Sequence, residues 1–219
     1  MKRFLLLVLL SLLLPAARAN AAGVGFYATS GLGSADWTDS YSSGYSKFST
    51  DTERKGLGIS MDTHLSGRHF FNYHFDFGYE TNTIKNFVTL PYTGPAVTSS
   101  LDLKGFSMSH AFGFGGKLGA HNRIWLGPEI RAQWGKGSPA GAPNVDVRSF
   151  GFGIGPAVGI DLNFRNGNTI IIKTGYQIMT HTADVDGYVS GMSVSESYDV
   201  DERFFYINLE FLFRSPGDR

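Results

Sequence analysis

One alternating run constrains this chain more than any other feature. In FFNYHFDFGYE, residues 70–80, every second residue from Phe71 to Tyr79 is aromatic, and those between are polar, ionisable or glycine. Successive side chains of a β-strand point to opposite faces, whereas a helix would spread these residues around its circumference. The run therefore predicts a strand with one aromatic face and one polar face.

The same alternation recurs along the chain and predicts eight strands. Short turns such as 165–168 alternate with long connections rich in Ser, Thr, Gly, Asp and Pro. This succession is typical of an up-and-down antiparallel barrel with tight turns at one rim and open loops at the other. The predicted strands cover about 23–34, 54–65, 70–80, 103–118, 123–135, 148–163, 169–182 and 201–214, and the predicted long loops cover 35–53, 82–101, 136–147 and 183–200.

Alternation alone leaves open which face of the barrel points outward, since a lipocalin-like barrel would bury the apolar face. Three features favour an inverted, membrane-spanning barrel. Gly, Ala and Ser are interleaved among the charges of the polar face, as the narrow interior of eight strands requires. The apolar face carries large residues, which lipid accommodates without a volume limit. The longer segments reach the length of a tilted membrane strand.

The chain begins with the features of an export signal. Lys2 and Arg3 precede an apolar run, and Ala17–Ala19 and Ala19–Ala21 both fit a cleavage site. We therefore predict a signal peptide over 1–19, with cleavage there or at 21, a barrel over 22–214 and a short periplasmic tail over 215–219. Without residues 1–19 the chain has 16 basic and 19 acidic residues and no cysteine. No basic patch indicates a nucleic-acid partner.

A resemblance follows from the signal peptide, the first strand GVGFYATSGLG at 23–33 and the last strand FYINLEFLF at 205–213. Together with eight alternating strands, they resemble the small outer-membrane β-barrel proteins of Gram-negative bacteria: the outer-membrane protein A transmembrane domain, outer-membrane protein X and the opacity-type families. The resemblance implies an all-β, eight-stranded antiparallel up-and-down transmembrane β-barrel in the outer membrane. Its expected partners are outer-membrane lipid and lipopolysaccharide, and the barrel-assembly machinery during biogenesis.

The polar face predicts a lumen filled by charge rather than an open pore. Barrels of this size are packed, and buried charges must be paired. The expected lumen charge network is Asp62, His74, Asp76, Glu129, Arg131, Lys173 and Glu210.

Aromatic residues outside the lumen have two predicted roles. Interfacial girdles are expected at both rims, with Phe70, Trp125 or Phe164 at the periplasmic rim, and Tyr79 and Trp134 at the outer rim. In the first outer loop, Trp37, Tyr41 and Tyr45 are candidates for contact with an extracellular ligand. Alternatively, these loop aromatics pack on one another above the barrel.

Catalysis would need a hydroxyl within reach of a base. The candidate pairs are His110 with Ser107 or Ser109, and His181 with Thr180 or Ser190. No catalytic residue, metal site or cofactor is predicted, because 184–187 only starts like a calcium loop and no helix follows the glycines of 151–159. The sequence therefore predicts a non-enzymatic barrel that serves membrane integrity or surface interaction. The alternatives are a lipid A-modifying enzyme, of the deacylase or acyltransferase type, and a narrow channel.

Overall fold

The computed structural model describes residues 23–39, 47–65, 70–89, 97–119, 121–189 and 192–214. The predicted signal peptide and periplasmic tail lie outside these residues and stay predictions. Tyr41, Tyr45 and Ser190 also lie outside them. The described residues contain no helix long and apolar enough to span a membrane.

Eight antiparallel strands form one closed ring, in which each strand pairs with its neighbours in the chain and β1 pairs with β8. The predicted fold class is therefore confirmed. Closure leaves no free sheet edge, so the backbone groups of the wall are paired even where water is absent. The strands are β1 Gly23–Asp39, β2 Lys47–Asp62, β3 Phe71–Thr89, β4 Val97–Leu118, β5 Asn122–Gly137, β6 Val145–Asn163, β7 Asn168–Val189 and β8 Met192–Arg214.

The prediction of long loops at 35–53, 82–101 and 183–200 is wrong, because the described residues of these segments continue the strands. At 136–147 a loop remains over residues 138–144. The β7–β8 hairpin pairs without interruption as far as Val189 and Met192, and β1 pairs with β2 up to Thr38 and Lys47. Strands of 16 to 23 residues are much longer than the ~10 residues that cross a hydrocarbon core. The barrel wall therefore extends well beyond the membrane on its outer side.

The outer surface is apolar around the lower part of the barrel. Phe26, Leu57, Phe152, Ile178 and Leu209 each expose between 53% and 69% of their surface. Large apolar side chains with this exposure would not be stable in water as a continuous band. The exposed apolar band therefore supports the inverted, membrane-facing arrangement over a lipocalin-like one.

The interior contains three layers. Ionisable and polar side chains fill the middle. Below them, Leu65, Ile171 and Leu212 form an apolar cluster at the periplasmic end. Above them lies a larger apolar cluster, here called the outer plug, consisting of Ala35, Trp37, Ile84, Phe87, Leu101, Leu103, Val145, Val147, Ala183, Val185, Tyr198 and Val200.

A bulge in β3 brings one aromatic ring into the outer plug. The pairing of β3 with β4 shifts between Ile84 and Phe87, and Asn86 adopts a positive φ of 59°. An extra residue in one strand moves the following side chain to the opposite face. Phe87 consequently lies inside the barrel, only 2% exposed, although strict alternation from Tyr79 would place it outside.

Candidate functional site

All seven residues of the predicted lumen charge network lie inside the barrel, each no more than 4% exposed. Period-two alternation places them there, because every second residue of each strand must face the narrow interior. Six of the seven form what we call the lower cluster: Asp62, His74, Asp76, Glu129, Lys173 and Glu210.

Lys173 is the centre of the lower cluster. Its ammonium group contacts Asp76 and lies 3.2 Å from Glu129 and 3.9 Å from Glu210. Glu129 also accepts hydrogen bonds from the Tyr206 hydroxyl at 2.7 Å and from the Gln177 amide at 3.1 Å. One cation thus lies among three carboxylates from three different strands.

His74 contacts two of these carboxylates, Asp76 and Glu210, and also Asp62. Its Nδ1 lies 3.1 Å from Asp62, and its Nε2 lies 3.1 Å from both Asp76 and Glu210. His74, Asp76 and Glu210 offer ligand atoms within 4.8 Å of one another, as a metal site would. However, the Lys173 ammonium already places positive charge against two of these groups and would repel a metal ion.

A second group of charges, which we call the upper cluster, consists of Arg54, Glu80, Arg131 and Glu202. Arg54 binds Glu202 through two nitrogens, and Glu80 accepts from Arg131 and lies 3.8 Å from Arg54. The guanidinium of Arg54 also lies 4.2 Å from the centre of the Phe204 ring, a favourable cation–π distance. Arg131 belongs to the predicted lumen network, and the alternation at 70–80 predicts that Glu80 also faces the lumen. Arg54 and Glu202 were not predicted as lumen residues. Both lie at the very start of predicted strands, 54–65 and 201–214, next to predicted loops, and the alternation continues through both.

Trp125 does not belong to the periplasmic girdle as predicted. Its ring is 1% exposed inside the barrel, and its Nε1 donates to Asp161 at 3.0 Å. Glycines on the neighbouring strands make this possible, because a Cβ at Gly113 or Gly159 would lie within 3.0 Å of the ring. The other four predicted girdle residues are exposed on the outer surface of the barrel, as a girdle requires. They are Phe70, Phe164, Tyr79 and Trp134.

Trp37 is not an exposed contact residue. It is 1% exposed within the outer plug, where its ring stacks on Phe48 and meets Phe87 and Tyr198 edge-on. Its Nε1 donates to Thr50 at 3.1 Å. The alternative, that the aromatics of this region pack on one another, describes Trp37 and Phe48.

The predicted catalytic pairs around His110 and Thr180 do not form. Ser107 and Ser109 point into the lumen and bind Glu80 and Asp76. His110 lies on the outer face, with its Nδ1 2.5 Å from the Tyr73 hydroxyl. Thr180 points outward and donates to Asp201, whereas His181 points inward.

His181 instead lies between a serine and an acid. Its Nδ1 is 3.4 Å from the Ser149 hydroxyl, and its Nε2 is 3.0 Å from Glu202. The cavity beside these residues has a volume of about 20 Å³, which is room for a single water molecule rather than a lipid chain. Glu202 is already neutralised by Arg54, so the arrangement fits a structural network better than a hydrolytic one.

Comparison with solved structures identifies the architecture. The chain is similar to the outer membrane protein OprG from Pseudomonas aeruginosa, with 14% identity, 90% of this chain and 99% of that chain covered, and a TM-score of 0.54. Lower TM-scores are found for Neisserial surface protein A (0.33; 14% identity; 85% of this chain and 98% of that one). Ail of Yersinia pestis also has a lower TM-score (0.35; 10% identity; 86% of this chain and 99% of that one).

No protein-family model and no curated protein matches the chain. The likeness to OprG and the closed ring of eight strands define the chain as a small eight-stranded outer-membrane β-barrel in its fold. The predicted location in the outer membrane of a Gram-negative bacterium agrees with this fold and with the exposed apolar band.

Proposed function

We propose that this protein is a closed, non-enzymatic outer-membrane barrel that supports membrane integrity and offers its strand-built outer hairpins for surface interaction. The observation that carries the proposal is the filled interior. Two apolar clusters enclose a layer of paired charges, so the described residues form a plugged cylinder. A plugged barrel contributes a stiff, well-packed wall without a permeation path.

The outer hairpins support the second part of the proposal. Their inward residues pack as a core, and exposed charges on β7 and β8 face outward, among them Asp184, Asp186, Asp199 and Asp201. A surface held by paired strands loses little conformational entropy when it binds a partner. We expect any extracellular ligand to contact this outward-facing wall, because Trp37 is enclosed within the plug.

The test compares cells that lack the protein with cells complemented by it. We expect loss of the barrel to increase uptake of the apolar dye N-phenylnaphthylamine, and complementation to reverse the increase. Purified barrel in planar lipid bilayers should give no discrete conductance steps, and lipid A from the two cell types should have the same mass spectrum. Conductance steps would establish a channel instead, and a gained or lost acyl chain would establish a lipid A-modifying enzyme.

A further inference from the structure

A layer of positive charge lies on the outside of the barrel, directly above the apolar band. On each strand, the first outward-facing polar residue above the apolar band can be read from the exposure pattern. On five of the eight strands this residue is a cation, on the other three it is Ser34, Thr81 or Thr180, and on none is it an acid. The five cations, here called the cation layer, are Lys55, Lys104, Lys136, Arg148 and Arg203.

The next outward position reverses the sign. It is occupied by Asp36, Glu53, Asp102, Asp146 and Asp201 on five strands and by no cation on the described strands. A random solvated surface would mix the two signs at each level. The separation into a positive and then a negative level indicates that something anionic lies at the height of the lower one.

Three members of the cation layer are direct neighbours. Lys104 is paired with Lys136 across β4 and β5, and Lys136 is paired with Arg148 across β5 and β6. Among the described residues, no carboxylate lies within 4 Å of these three cationic groups. Like charges directly opposite one another destabilise a sheet. Arg148 is paired on its other side with Asp184 across β6 and β7, whereas Lys104 is paired on its other side with Thr81. Lys104 and Lys136 are therefore the cations of this group that most need a counter-charge in the isolated barrel.

The residues below the layer locate that counter-charge. Lys104 and Lys136 each lie one outward position above an aromatic residue of the same strand. These residues are Phe106 and Trp134, whose ring centres lie 5.7 Å apart. Aromatic residues in such barrels lie at the membrane–water interface. Cations one outward position higher therefore lie at the level of lipid headgroups, where long basic side chains can reach phosphate.

We propose that the cation layer binds the phosphate groups of the anionic glycolipid in the outer leaflet, with Lys104, Lys136 and Arg148 as its principal contacts. The proposal rests on the membrane placement contained in the proposed function and names the lipid chemistry involved. Lys55 contributes less, because its ammonium lies 2.6 Å from Glu53. Hydrogen bonds from Lys55 and Lys85 lower the pKa of Glu53, so this carboxylate stays charged at neutral pH and competes with phosphate.

The test measures binding of bis-phosphorylated lipid A to the folded barrel in detergent micelles, by titration of tryptophan fluorescence. The variant combines Lys104→Gln, Lys136→Gln and Arg148→Gln. The matched control removes three other exposed lysine charges through Lys47→Gln, Lys85→Gln and Lys117→Gln. Each cation at an anionic lipid surface contributes on the order of a fivefold change in affinity. We therefore expect roughly a hundredfold weaker binding by the variant and about wild-type binding by the control.

Dephosphorylated lipid A identifies the group that is bound. The wild-type barrel should bind it about as weakly as the triple variant binds the phosphorylated lipid, and free inorganic phosphate should not compete, because it lacks the acyl chains. Equal affinity of variant and control, or equal affinity for the two lipids, would overturn the proposal. Should the triple variant not fold, as judged by its shift on a gel before and after heating, Lys136→Gln alone should still weaken binding about fivefold. The outcome is independent of dye uptake in cells, so the two proposals can fail separately.

Discussion

Replacing Lys173 by methionine tests whether the lumen is held together by charge. Methionine keeps the length of the side chain but removes the ammonium group beside Asp76, Glu129 and Glu210. Removing one partner of a buried ion pair typically costs 3–5 kcal/mol, because the remaining charge is left uncompensated. Here three carboxylates lose the same cation and Lys173 is fully buried, so we expect a loss of about 4 kcal/mol in the free energy of unfolding.

The assay is reversible urea unfolding of the barrel in lipid vesicles, followed by tryptophan fluorescence and analysed by linear extrapolation. Lys117→Met is the matched control, since Lys117 is exposed at the periplasmic end and should change stability by less than about 0.5 kcal/mol. Adding Asp76→Asn to Lys173→Met removes one of the carboxylate charges that have lost their cation. It should restore roughly 2 kcal/mol of the free energy of unfolding. A Lys173→Met barrel within 1 kcal/mol of wild type would refute the view that paired charges stabilise the lumen.

Two further substitutions test the interior, each against a matched control and by the same unfolding assay. Gly159→Ala places a methyl group against the enclosed Trp125 ring and should lower the free energy of unfolding by about 1–3 kcal/mol. Gly116→Ala meets no atom within 4 Å and should leave it unchanged. Equal effects of the two substitutions would contradict the packing described for Trp125. Glu202→Gln removes an inward charge of the upper cluster and should cost about 3 kcal/mol, while the adjacent outward Asp201→Asn should cost less than about 0.5 kcal/mol. The reverse order would mean that the two residues face opposite to the assignment.

The membrane-spanning part of the barrel was predictable because its apolar and polar residues alternate without interruption. Side chains alternate strictly along a strand, so the phase read at Phe71 to Tyr79 also fixed the inward direction of Asp76. The same reasoning on other strands placed Glu129 and Lys173 inside. The contacts among them could not be predicted, because the stagger between strands decides which charges meet. Residue type alone predicts the rim for Trp125, although its position in the alternation is that of a lumen residue.

The sequence of the outer half of the barrel is typical of loops, because its outward face is polar and its inward face is apolar. Val145 and Val147 are inward, whereas Asp146 and Arg148 are outward, which is the pattern of a barrel in water. The phase continues unbroken while the surroundings of the wall change from lipid to water. A search for apolar residues on the outward face therefore ends at the membrane boundary. Composition rich in Ser, Thr and Asp then suggests a loop where the chain is still a strand.

The outer plug also has a consequence for the order in which the barrel folds. Trp37 lies on β1 and contacts Tyr198 on β8, with the two ring centres 5.9 Å apart. The first and last strands meet only when the ring closes, so these contacts form at the final step. Interactions that are absent from the transition state slow unfolding and leave the folding rate almost unchanged. Tyr198 also contacts Phe48 on β2 across the same closure, with ring centres 6.1 Å apart. We therefore expect Tyr198→Ala to accelerate unfolding of the barrel while its folding rate stays close to that of the wild type, so that the plug determines how long a closed barrel lasts.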